Sequence, residues 1–150
     1  MWGFGSPAIA SIHTYPEGGE RVMVRSLQTL RDRQDQAWQL ALFQRMNQGR
    51  IESVHLRLVG FPGGAEVQHP EPLRMASSTQ GWTAPDVLQT ESAYPSNVGE
   101  YDVMEVMRQL GNAASLQVVL PLQTGDVELV VPPFVVKEWR QLLQMQGSGS

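Results

Sequence analysis

Few side chains in this chain are able to carry chemistry. Three histidines, at positions 13, 55 and 69, lie far apart and form none of the i, i+4 helical pairs that hold zinc. Three carboxylate pairs invite comparison with general acid/base sites, which need two acids held at different proton affinities. Each pair has a simpler expected role. Glu17 and Glu20 flank Gly18-Gly19 in a turn, Asp32 and Asp35 stand among Arg31 and Arg33 as a solvated charge cluster, and Asp102 with Glu105 reads as a helix capping box. Gly60-Phe-Pro-Gly63-Gly64 lacks the glycine spacing and the following helix that cradle a phosphate. The absence of cysteine removes disulfides, thiolate metal sites and cysteine nucleophiles together. The reading is therefore of a non-enzyme, with no catalytic, metal or cofactor residue, and binding is the class of function left. The candidate partner-binding residues are Trp82, Val87, Leu88 and Tyr94, large apolar side chains in a segment otherwise rich in turn formers.

The elements that must position these residues come from a chain of 150 residues, enough for one self-sufficient core. Its formal net charge of −4 argues against a nucleic-acid binder, which needs a concentrated basic face. No stretch approaches the roughly 20 apolar residues of a membrane-spanning helix. The domain is expected over residues 11–146. Residues 1–10 read as a signal-peptide remnant or flexible leader, and Gly147-Ser148-Gly149-Ser150 as a linker or tag scar.

The alternation from Glu20 to Leu30, followed by Trp38, Leu40 and Leu42 at period two, predicts a hairpin; one amphipathic helix over Leu27–Met46 competes with it. Val54, Leu56 and Leu58 mark a clear strand ended by Pro62-Gly63-Gly64, with His55 facing solvent. Shorter segments near Glu66–His69 and Leu73–Ala76 are confined to edges by Pro70 and Pro72, and His69 falls in that proline-rich turn. The stretch Ser77–Gly99 reads as a long loop. A helix is expected over about 102–110, stapled by Tyr101 and Val106, then a hairpin through Gln123-Thr124-Gly125 and a helix over 133–145 with Pro133 in its first turn and Trp139 as core anchor. Trp38, Phe43 and Met46 read as filled core rather than a cavity wall. Strands without βαβ alternation make the class α+β: an antiparallel sheet of about five to seven strands with two helices.

Ala8-Ile9-Ala10 carries the small residues that signal peptidase requires before its cut, so Ser11 is the expected first residue of an exported chain. The segments His13-Thr-Tyr-Pro-Glu17, Leu56-Arg-Leu-Val-Gly-Phe-Pro62, Asn97-Val-Gly-Glu-Tyr-Asp102 and Val131-Pro-Pro-Phe-Val-Val-Lys-Glu-Trp139 together resemble an uncharacterised, domain-of-unknown-function family of cyanobacterial proteins, over about Ser11 to Leu143. The resemblance implies a cyanobacterial source, export to the thylakoid lumen or periplasm, and an auxiliary role near the photosynthetic membrane; it lends no active-site residues. The function expected is a non-enzymatic accessory protein that binds another protein, with a photosynthetic complex or its assembly intermediate as the expected partner. The alternative is a carrier of a small apolar ligand, pigment or lipid, in a sheet–helix cavity.

Overall fold

The computed structural model describes residues 12–88 and 94–145, so the expected leader and the Gly-Ser tail lie outside the described residues. In chain order the elements are β1 (Ile12–Gly18), β2 (Arg21–Arg31), β3 (Ala37–Asn47), β4 (Arg50–Val59), β5 (Leu73–Ala76), β6 (Gly81–Ala84), β7 (Val98–Asp102), α1 (Met104–Arg108), β8 (Leu116–Leu122), β9 (Gly125–Val131) and α2 (Pro133–Gln144). The class is α+β. The described strands form two antiparallel sheets, β1-β2-β3-β4-β7 and β6-β5-β8-β9, rather than one sheet of five to seven strands. The additional strands are short or interrupted. β6 spans four residues inside the expected 77–99 loop, and β1 carries Pro16, which an edge strand tolerates.

The β2–β3 hairpin pairs from Arg21 opposite Asn47 to Arg31 opposite Ala37, which decides against the helix over Leu27–Met46. Its turn is organised by Asp32. This residue is 8% exposed, not part of a solvated cluster as its arginine neighbours suggest. Its Oδ1 accepts from the Gln34 and Gln36 backbone N–H groups at 2.8 and 3.0 Å, and its Oδ2 accepts from Trp38 Nε1 at 3.0 Å. The carboxylate thus closes the turn and satisfies a buried indole. Behind that indole, a Cβ on Gly60 would lie 2.8 Å from the Trp38 ring, so the close approach requires glycine. Asp32→Ala should cost about 2–3 kcal/mol in urea unfolding with an unchanged m-value, because it strips the partner from a buried N–H.

The inward faces of both sheets share one cluster with α2. Trp38, Leu40, Leu42, Leu56 and Leu58 from the larger sheet join Leu116, Val118 and Leu120 from the smaller one and Val135, Val136, Trp139 and Leu142 from α2. Pro133 begins α2, where its fixed φ and missing N–H cost nothing. Buried Glu138 fixes the helix on the sheet: its Oε2 accepts from Ser26 Oγ at 2.5 Å and from Gln28 Nε2 at 3.0 Å. The β8–β9 hairpin pairs from Leu116 opposite Val131 to Leu122 opposite Gly125, as its turn residues predict. Helix α1 is shorter than the expected 102–110, and the capping box does not close. Asp102 Oδ1 accepts from the Met104 N–H at 3.0 Å, but the Asp102 N–H is already given to the Pro85 carbonyl, also at 3.0 Å. Glu105 turns instead to Arg108 and Gln109. Tyr101 and Val106, the expected staple pair, are both buried in the shared core.

Candidate functional site

Strand alternation that sends Leu40, Leu42, Leu56 and Leu58 inward sends Phe43, Arg45, His55 and Arg57 outward. The register aligns Arg25, Phe43, His55 and Asp102 across β2, β3, β4 and β7 in one row, with Leu27, Ala41, Arg57 and Glu100 in the next. The guanidinium carbons of Arg45 and Arg57 stand 5.6 and 5.2 Å from the Phe43 ring centroid, one on each side along the sheet. These two side chains account for an outward phenylalanine being only 6% exposed. On β1, Tyr15 receives a 2.8 Å hydrogen bond from Arg25 Nη2, and the Arg25 guanidinium lies 5.1 Å from the Tyr15 ring centroid.

The charges on this face are unevenly paired. Arg45 Nε is 3.4 Å from Glu17, while Arg57 binds Glu100 Oε1 through both Nε and Nη2 at 2.8 Å. His55 Nδ1 meets Glu100 Oε2 at 2.7 Å, and its side chain is 20% exposed, so it is a paired residue rather than the free solvent-facing one expected. Arg25 has no carboxylate partner among the described residues, and its Nε is buried without a hydrogen bond. Its guanidinium bonds the Tyr15 hydroxyl through Nη2 and, among the described residues, meets no carboxylate.

Burial alone would raise the Glu100 pKa, but hydrogen bonds from His55 and Arg57, with their charges, outweigh it and hold the carboxyl below its ordinary value of 4.5. A carboxyl depressed in the folded state stabilises above its unfolded value and loses that contribution as pH falls through the folded one. Thermal melts of the wild type should therefore drop below about pH 4.5, and Glu100→Gln should flatten that acid limb while lowering the neutral-pH midpoint.

A second imidazole–carboxylate pair lies beyond β7. His69 Nδ1 is 2.5 Å from Asp86 Oδ2, whose side chain is almost wholly buried, so His69 is a bonded member of its turn. Burial and then the nearby Asp86 charge raise the Tyr101 hydroxyl well above its usual value, and that hydroxyl is buried without a hydrogen-bond partner among the described residues. An oriented imidazole is half of an acid/base device; the other half is a reactive hydroxyl on its far nitrogen. Among the described residues neither His55 nor His69 meets such a hydroxyl, and no three potential ligands gather to hold a metal ion.

The match of a family model, described as a protein of unknown function (DUF3122), covers residues 10–142. The chain belongs to the DUF3122 family. No curated protein and no solved structure matches it. The DUF3122 match spans both sheets and most of α2, close to the span the segment resemblance led one to expect, so the arginine face and the core are parts of the family domain.

Within this DUF3122 domain the four expected partner-binding residues are not brought together as one patch. Leu88 is 6% exposed because its N–H is drawn to Asp86 Oδ1 at 2.8 Å, which folds it inward; it is interior, not displayed. Trp82 is partly buried on β6, with Nε1 donating to Gln109 Oε1 at 3.0 Å. Val87 and Tyr94 are exposed. Asp86 bridges to Tyr101, and Val87 gives its N–H to the Glu100 carbonyl at 3.0 Å, so alternation sets Val87 on the outward side beside Glu100, at the rim of the arginine face. Phe43, Arg25 and Arg57 escaped sequence reasoning as site residues; alternation with Leu42 and Leu56 was the available signal. Trp38 and Met46 join the shared core as expected, whereas Phe43, expected there with them, faces outward and is buried beneath Arg45 and Arg57. Among the described residues no helix is long and apolar enough to cross a membrane.

Proposed function

We propose that this DUF3122 protein is a non-enzymatic accessory protein that holds another protein on the outward face of its larger sheet, with Arg25 receiving an acidic side chain of the partner. The observation carrying this reading is Arg25 itself, flanked by Tyr15 and Phe43 and without a carboxylate partner among the described residues. Arginine and aromatic residues dominate interface energetics because they bury large area while keeping directed donors. A sheet surface also suits a macromolecule better than a small ligand, which needs a concave site. Ala8-Ile9-Ala10 supports a location in the thylakoid lumen or periplasm, and the segment resemblance supports a photosynthetic membrane complex, or its assembly intermediate, as the partner.

The test is affinity capture from solubilised photosynthetic membranes with the purified protein, followed by crosslinking. Recovery of a complex subunit crosslinked through β2–β4 is the expected result. Recovery of no membrane-complex subunit, or crosslinks confined to the smaller sheet, would count against the proposal.

A further inference from the structure

Away from the arginine face, a pocket of about 210 Å³ opens where α1 and the end of α2 meet β3 and β4. Val54, Met104, Met107 and Leu143 make its wall apolar, and Arg108 at its border is already turned to Glu105 at 3.3 Å. Gln44 is the exception. It is fully buried, and its Nε2 is directed to the Leu142 carbonyl at 3.5 Å and to Met46 Sδ at 3.8 Å. That direction leaves Oε1 as a buried acceptor with no donor among the described residues. An unmet buried acceptor costs free energy that an incoming O–H or N–H recovers.

We infer that this pocket binds a small, neutral, mainly apolar molecule that brings one hydroxyl or N–H to Gln44 Oε1. An enclosed dry cavity of about 150 Å³ accepts benzene, and this pocket, though open to solvent on one side, has room for a ring compound of roughly ten heavy atoms. The two methionines supply adaptable contacts around it. This inference stands independently of the partner-binding face.

The discriminating probes are 4-ethylphenol and 4-ethyltoluene, which match in shape and differ by hydroxyl against methyl. Each is titrated into the full chain while the methyl resonances of Met104 and Met107 are followed by NMR. Both resonances should move with the phenol, which should bind about five- to ten-fold more tightly than the hydrocarbon. Gln44→Met, nearly isosteric, should keep hydrocarbon binding and erase the preference. No shift with either probe, equal affinities in the wild type, or a preference that survives Gln44→Met would overturn the inference. The wild-type comparison decides alone if the variant does not fold.

Discussion

Trp139→Ala should lower the unfolding free energy by about 3–5 kcal/mol, the largest stability loss expected of any single truncation discussed for this domain. Trp139 is 0% exposed and sits on the face of α2 that also buries Val135, Val136 and Leu142 against both sheets. Removing the indole leaves a cavity at the point where three layers of side chain meet, and Glu138 next to it holds α2 in place, which limits collapse into the space. The indole Nε1 has no hydrogen-bond partner among the described residues, so the loss is one of packing rather than of a polar contact. Trp139→Phe should accordingly cost less than half as much, since it removes an unmet donor along with part of the ring. Urea unfolding followed by far-ultraviolet circular dichroism separates the two variants. Equal losses for alanine and phenylalanine would mean that the indole nitrogen matters more than the packing.

The second large effect is on binding. Arg25→Gln combined with Arg45→Gln should weaken partner capture at least ten-fold, a change of about 1.4 kcal/mol or more. The thermal midpoint should fall by much less than capture does: among the described residues the acid paired to either arginine, Glu17, is itself partly exposed, and what is lost besides is the Arg25–Tyr15 hydrogen bond and the Arg45 cover over Phe43. Arg33→Gln is the control. Its side chain is 63% exposed and pairs with Glu128 on the smaller sheet, so capture should be unaffected. Wild-type capture should also weaken with salt, as expected where a guanidinium meets a carboxylate near the surface.

Much of this fold was legible where period and punctuation agree. Val54, Leu56 and Leu58 alternate cleanly, Gln123-Thr124-Gly125 marks a hairpin, and Pro133 with a 3.6-residue stripe marks α2. The second sheet was legible in part: its β8–β9 hairpin and the segment Leu73–Ala76 were marked, but β5 lies between β6 and β8 rather than at an edge, and β6 is four residues in a turn-rich stretch, too short for alternation to stand out. Asp32, His55 and the 102–105 pair were misread for a different reason. Each looks like a polar residue in a polar setting, and its role is set by a partner distant in sequence or by a backbone group: Trp38 for Asp32, Glu100 for His55, and Pro85 for the N–H of Asp102. The arginine face was hidden likewise, since Arg25, Phe43 and His55 become neighbours only through strand register.

The most direct measurement of the central claim is arginine-selective dicarbonyl labelling of the free protein and of the captured complex, read by mass spectrometry. Binding through the larger sheet predicts that Arg25, Arg45 and Arg57 lose reactivity in the complex while Arg33 and Arg74 keep theirs. Unchanged labelling of Arg25, Arg45 and Arg57, with protection appearing instead at Arg74 on the smaller sheet or at Arg33, which is paired to that sheet through Glu128, would contradict it.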